Sequence, residues 1–194
     1  MSVDERMVHD IVQKVMANMQ ISGSVSGMHG VFKDMNDAIN ASIEAQKKVC
    51  TMTLDQREQI ISLIRKKTHE NAEILANMGV NETGMGNVGD KILKHHLTAD
   101  KVPGTEDIST NAWSGDRGLT LVEMGPFGVI GAITPATNPS ETVICNCIGM
   151  LAGGNTVVFN PHPNAKKTTI YTINMINEAS IEVGGPDNIA VTVE

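Results

Sequence analysis

Aromatic side chains are scarce in this 194-residue chain, which has one Trp, one Tyr and three Phe. A core must therefore be filled by Ile, Val, Leu, Ala and the twelve Met, which are adaptable gap-fillers. Cysteine is almost absent. Cys50, Cys145 and Cys147 make no disulfide framework, which excludes a small stapled secreted fold. Positive charge is also short: 15 Lys and Arg stand against 22 Asp and Glu, a net charge of −7. Affinity for a phosphate backbone comes from clustered Lys and Arg, so nucleic-acid binding is excluded. The pairs Lys47–Lys48 and Lys166–Lys167 and the run Arg65–Lys66–Lys67 read as solvated helix faces. No apolar run approaches the roughly 20 residues of a membrane span, and no leader-type sequence opens the chain. With 41% hydrophobic content, the expectation is an acidic, soluble, cytoplasmic protein.

What is present divides into three stretches. Ser2 and Glu5 form a capping box, and Val8, Ile11, Val12, Val15, Met16 and Met19 then recur at helical spacing. Residues 1–20 thus read as an amphipathic helix, and the Gly- and Ser-rich residues 21–30 as a flexible linker. Residues 34–99 are patterned as helices. Asp34 caps the first, which carries Ala38, Ile39, Ala41, Ile43 and Ala45. Thr53 with Gln56 is a capping box for a helix with Ile60, Ile61 and Ile64 on one face. A further helix with Ala72, Leu75 and Met78 stops at Glu82-Thr83-Gly84-Met85-Gly86, and Val88, Ile92 and Leu93 begin another. Pro103, Gly104 and a polar run to Asn111 mark a boundary.

Beyond it the pattern changes. Residues 117–124 alternate as a β-arm, and residues 128–194 read β-α-β-α-β. Val129 to Ile133 is expected as a buried strand. A helix follows with Asn138 as N-cap and Pro139 at its first position, running to Ala152. Thr156 to Phe159, a helix from Ala165 to about Val183, and Ile189 to Val193 complete the set, the last strand being expected to have no outer neighbour. This order implies an α/β fold, a helical segment followed by a partial parallel sheet of the nucleotide-binding type. In such a sheet ligands lie at the carboxyl ends of the strands. Two proline-stiffened polar loops occupy those places: Thr134-Pro135-Ala136-Thr137-Asn138-Pro139 and Asn160-Pro161-His162-Pro163. Neither carries a glycine-rich pyrophosphate turn, and the chain has no Walker motif. Cys145 and Cys147 fall within an apolar helix on different faces and read as inert buried hydrophobes. His95 and His96 are adjacent and point apart, so no metal site is expected.

Glu82-Thr83-Gly84-Met85-Gly86, Gly118-Leu119-Thr120-Leu121-Val122-Glu123, Gly128-Val129-Ile130, the Thr134–Pro139 loop and Pro161-His162-Pro163 occur together and in order. Together they resemble the CoA-acylating aldehyde dehydrogenases of ethanolamine- and propanediol-type bacterial microcompartments, over Gly30 to Glu194. The resemblance implies an aldehyde dehydrogenase-like fold, with residues 31–194 as part of the NAD/CoA-binding domain and the catalytic domain absent. It implies oxidation of a short-chain aldehyde to an acyl-CoA, with NAD taking the hydride and coenzyme A as cosubstrate. The nucleophilic cysteine would lie outside this chain, which alone would be inactive. The alternative is a noncatalytic targeting or assembly module derived from that family.

By the same resemblance, Ile133, Thr134, Pro135, Ala136 and Thr137 border the nicotinamide, and Asn138, or alternatively Thr137, donates to the developing oxyanion. Asn160, Pro161, His162 and Pro163 approach the adenosine ribose. Asn160 stands where many relatives have lysine and Pro163 where many have an acidic residue, which leaves NAD versus NADP open. The resemblance further implies a homo-oligomer in the microcompartment lumen, with residues 1–20 binding a shell protein.

Overall fold

A computed structural model describes residues 27–194; the amphipathic segment 1–20 and most of the linker lie outside the described residues. The elements, in order, are β1 (Val31–Phe32), α1 (Met35–Val49), α2 (Leu54–Glu70), α3 (Ala72–Thr83), α4 (Val88–Lys101), β2 (Asn111–Gly115), β3 (Gly118–Val122), β4 (Val129–Thr134), α5 (Pro139–Ala152), β5 (Thr156–Pro161), α6 (Lys166–Glu182) and β6 (Ala190–Val193). The helix starts follow local chemistry. Asp34 accepts from the amides of Asn36 and Asp37, and Thr53 with Gln56 forms a complete capping box at α2. Gly84 closes α3 in the left-handed conformation, at φ 69°.

The main sheet has the order β1-β6-β5-β4, with all three pairings parallel. Residues alternate along β5. Val157 and Phe159 join the larger core with Ile60, Ile64, Ile144, Ile148, Ile173 and Ile176, while Val158 joins Phe32, Ala38, Ala41 and Val191 beneath α1. Thr156 is fixed on the α1 side, its amide donating to Gln46 Oε1 at 2.7 Å and its hydroxyl lying 3.0 Å from Ser42 Oγ. A central strand buried on both faces needs apolar residues at successive positions, which the Val-Val-Phe run supplies.

Four expectations change here. Ser- and Gly-rich composition does not leave residues 29 and 30 loose: the His29 amide donates to Asn174 Oδ1 at 2.7 Å, and Thr192 N donates to the buried Gly30 carbonyl at 2.8 Å. Gly30 has φ +74°, and a Cβ there would collide with Asn177 Nδ2 and the Ala190 carbonyl. The last strand, expected to lack a neighbour, is interior, because β1 pairs with it as Val31↔Thr192 and Phe32↔Val193. The edge beside β5 is β4 instead. Its Ile133 is 85% exposed, since β4 has one strand neighbour and α1 lies over β5 and β6. Finally, Arg65 is no solvated residue: its guanidinium donates to the carbonyls of Ala99 and Val102 at 2.8 and 2.9 Å, and Lys67 pairs with Glu182 at 2.9 Å.

The β-arm has a partner that its polar composition concealed. Asn111–Gly115 pairs antiparallel with β3, and this ribbon is exposed throughout. No described helix is long and apolar enough to cross a membrane.

Candidate active site

Parallel pairing decides what meets at the carboxyl edge of the sheet. The register places Ile133 opposite Asn160 and Thr134 opposite Pro161, and His162 N donates to the Thr134 carbonyl at 3.1 Å. The two proline-rich loops therefore form one edge. Ile133 and Asn160 are exposed there, whereas Thr134, Ala136 and Pro161 are buried. Pro135, Thr137, His162 and Pro163 are exposed. His162 Nδ1 accepts from the Asn164 amide at 3.1 Å, which leaves the Nε2 edge to carry the ring proton.

Thr134 Oγ1 is buried without a hydrogen-bond partner. A buried hydroxyl is ordinarily satisfied, so this one stands out at the carboxyl end of β4. Ile133 and Asn160 also border an apolar groove of about 500 Å³ with Met35, Ile39, Ile43 and Val158. Asn160 is the one polar side chain on that lining, and an apolar floor with a single polar group at the strand end is suited to a small organic ligand. A G-x-G-x-x-G spelling that the sequence reading passed over, Gly84-Met85-Gly86-Asn87-Val88-Gly89, joins α3 to α4 instead of following a strand, so it is no pyrophosphate turn.

Asn138 departs from its expected role. It occupies the N-cap position of α5, yet its side chain makes no capping bond, with φ −138° and ψ 67°. Its Oδ1 accepts instead from Lys94 Nζ at 3.3 Å. An ammonium only donates, so this contact fixes the amide's orientation and leaves Nδ2 open as a donor. Asn138 borders a cleft of about 330 Å³ between α4 and α5, together with Leu97, Thr142, Cys145 and Asn146. Thr137 does not line that cleft.

Beneath this turn lies a buried polar network that the sequence reading missed. Lys91 Nζ donates to the Thr137 carbonyl at 3.0 Å and pairs with Glu141 Oε1 at 3.3 Å, the two side chains being 4% and 8% exposed. Ser140 Oγ lies 3.2 Å from Glu141 Oε2 and 2.7 Å from His95 Nε2, and His95 Nδ1 lies 2.7 Å from the Lys91 carbonyl. A carbonyl only accepts, so Nδ1 carries the ring proton, and the single Ser140 hydroxyl hydrogen is shared between Nε2 and the Glu141 carboxylate. Burial holds the His95 pKa below its ordinary value, opposed by the Glu141 carboxylate. His96 turns outward and stacks on His69.

A second unforeseen anchor is Glu82, whose carboxylate accepts from the amides of Lys167 and Thr168 and from the Thr168 hydroxyl at 2.7, 2.8 and 2.7 Å. It docks α3 on the start of α6, next to the 160–163 loop. Partners some 85 residues distant leave no local signal.

The cysteines separate sharply. Cys147 is buried and its thiol is pushed up to about 12, whereas Cys145 is exposed rather than buried, with its thiol raised by partial desolvation. Cys50 is exposed at the end of α1. Among the described residues no group of three or more His, Cys, Asp or Glu is arranged to hold a metal ion.

Residues 16–193 match the model of the aldehyde dehydrogenase family. An acetylating acetaldehyde dehydrogenase of Bilophila wadsworthia is 45% identical over 199 residues, covering 98% of this chain and 41% of that protein. The solved propionaldehyde dehydrogenase of the Clostridium phytofermentans fucose utilisation bacterial microcompartment is 72% identical, with a TM-score of 0.84, over 86% of this chain and 38% of that one. The propionaldehyde dehydrogenase of Rhodopseudomonas palustris, solved with bound propionyl-CoA, is 47% identical with a TM-score of 0.82, over 85% and 37%. The chain thus spans about two-fifths of the length of these relatives, corresponding to their N-terminal part. By the family match and the shared fold, it belongs to the aldehyde dehydrogenase family.

Proposed function

We propose that this chain supplies the cofactor-binding edge and the oxyanion donor of an NAD-dependent, CoA-acylating aldehyde dehydrogenase acting on a short-chain aldehyde. The observation that carries this reading is the β4–β5 register, which joins the two candidate loops; Asn138, part of the first of them, lines the α4–α5 cleft. Ile133, Thr134, Pro135, Ala136 and Thr137 would meet the nicotinamide half, and Asn160, Pro161, His162 and Pro163 the adenosine half. NAD, when bound, accepts a hydride, and coenzyme A releases the acyl group as a thioester.

The chain's own task is to stabilise charge on the aldehyde oxygen. Asn138 Nδ2 is the assigned donor over Thr137, because Lys94 leaves that amide edge open at the cleft. The nucleophile is assigned to none of the three cysteines: desolvation disfavours the thiolate of Cys147 and, to a lesser degree, of Cys145, and Cys50 sits at the end of α1, on neither candidate loop. The 194-residue chain alone should therefore show no CoA- and NAD-dependent aldehyde oxidation.

The test is Asn138→Ala in the full-length enzyme. Turnover should fall roughly 10²- to 10³-fold with the melting temperature nearly unchanged, because no capping bond is lost. Normal turnover in that variant would remove Asn138 from the chemistry.

Residues 1–20 we propose as an address segment that docks on a microcompartment shell protein, as a short helix needs a partner for its apolar stripe. Support comes from the microcompartment origin of the Clostridium phytofermentans relative. Fusion of residues 1–20 to a fluorescent protein should give punctate fluorescence in compartment-forming cells. Diffuse signal, unaltered by Ile11→Glu, refutes it.

A further inference from the structure

Lys91–Glu141 stands apart among the ion pairs of the described residues. Every other pair leaves at least one side chain 46% exposed or more. Burial of two ions carries a desolvation penalty that their attraction commonly only offsets, and apolar residues of similar volume serve stability as well or better. Stability alone therefore gives no reason for this pair.

The place of the ammonium gives one. Lys91 Nζ donates to the main-chain carbonyl of Thr137, the residue before Asn138, in the segment that leads from β4 into α5. Glu141 neutralises the ammonium from the first turn of α5, and Ser140 and His95 hold that side of the network. One turn further along α4, Lys94 takes Asn138 Oδ1. The Thr137–Asn138 segment is thus gripped at its backbone by one lysine and at its side chain by the next, leaving Asn138 Nδ2 as the open donor at the cleft.

We propose that Lys91 is a positioning residue for oxyanion stabilisation: its ammonium, paired with Glu141, holds the Thr137 carbonyl and so sets the backbone from which Asn138 presents its amide. The inference rests on the reading of Asn138 as the donor. It is tested by kcat, KM and melting temperature of Lys91→Met/Glu141→Leu, Asn138→Ala and the triple variant in the full-length enzyme. The double variant removes both charges at similar volume, so no lone ion is left buried. Its melting temperature should stay near that of the parent while kcat falls about 10- to 100-fold, the cost of a misplaced group. The triple variant should turn over no more slowly than Asn138→Ala, because the lysine acts through that residue. Parental kcat in the double variant, or an additive loss in the triple, overturns the proposal while leaving the oxyanion reading intact. Parental kcat in Asn138→Ala overturns that reading and the proposal together. Lys91→Gln/Glu141→Gln, whose amides can bond each other but whose shorter residue 91 falls short of Thr137, gives the same comparison should the apolar pair fail to fold.

Discussion

Glu82→Ala removes a carboxylate that accepts three hydrogen bonds at the amino end of α6. A hydrogen bond to a charged group contributes about 1.5–3 kcal/mol net, and a negative charge at a helix amino terminus adds about 0.3–1 kcal/mol. Glu82 is only half-buried, so water re-solvates part of what is lost, and a total of about 2–3 kcal/mol is expected. For a domain of this size each kcal/mol moves the melting temperature by about 2–4 °C, giving a fall of about 5–10 °C. Glu82→Gln keeps one acceptor oxygen and should lose about half as much. Thermal unfolding of the 194-residue chain, followed by circular dichroism, reads the shift directly. Glu73→Ala, exposed on the same helix, is the control and should change stability by no more than about 0.5 kcal/mol. A fall of less than about 2 °C on Glu82→Ala, or one equal to the control's, refutes the reasoning that this side chain docks the helix.

Gly30→Ala should cost at least ~3 kcal/mol, combining left-handed strain with collision against Asn177 and Ala190, and would show as a lowered urea midpoint. His95 is held below its ordinary value of 6.5 in the folded chain, so below about pH 6.5 the unfolded state binds the proton more readily and stability declines. His95→Gln should flatten the loss of stability between about pH 6.5 and 5.5, measured by urea unfolding; an unchanged pH profile counts against the assignment. Thiol labelling of the native chain should modify Cys50 and Cys145 and spare Cys147 until the chain is unfolded; early labelling of Cys147 would contradict its burial.

The parts of the fold legible in the sequence are those whose causes are local. Thr53 and Gln56 lie three residues apart, and Gly153, Gly154, Gly184 and Gly185 punctuate the alternation of strands and helices, so the β-α-β-α-β order could be read directly. Parallel pairing, in turn, makes neighbours of strand ends 27 residues apart in sequence, which the strand-end rule anticipates. What stayed hidden depends on distant partners. Val31–Phe32 is too short to signal a strand, and β6 completes it from the far end of the described chain. On α4, Leu93 and Leu97 face outward at 67% and 59% exposure while Lys91 and His95 face inward, the reverse of the usual amphipathic reading. No periodicity reveals such a face, because its polar residues are matched to Ser140 and Glu141 on another helix.

The pairing of β1 with β6 also sets a timetable. His29, next to β1, meets Asp187, 158 positions later. At a synthesis rate of roughly 5–20 residues per second, the first strand waits on the order of ten seconds before its partner exists. During that interval Phe32 and the apolar side of α1 have no Val191 to pack against. Contacts of such separation also slow folding, since the loop's entropy is lost before the pairing is gained. The nascent chain thus carries β1 unpaired until β6 has been made, and its exposure to misassociation lasts over that interval.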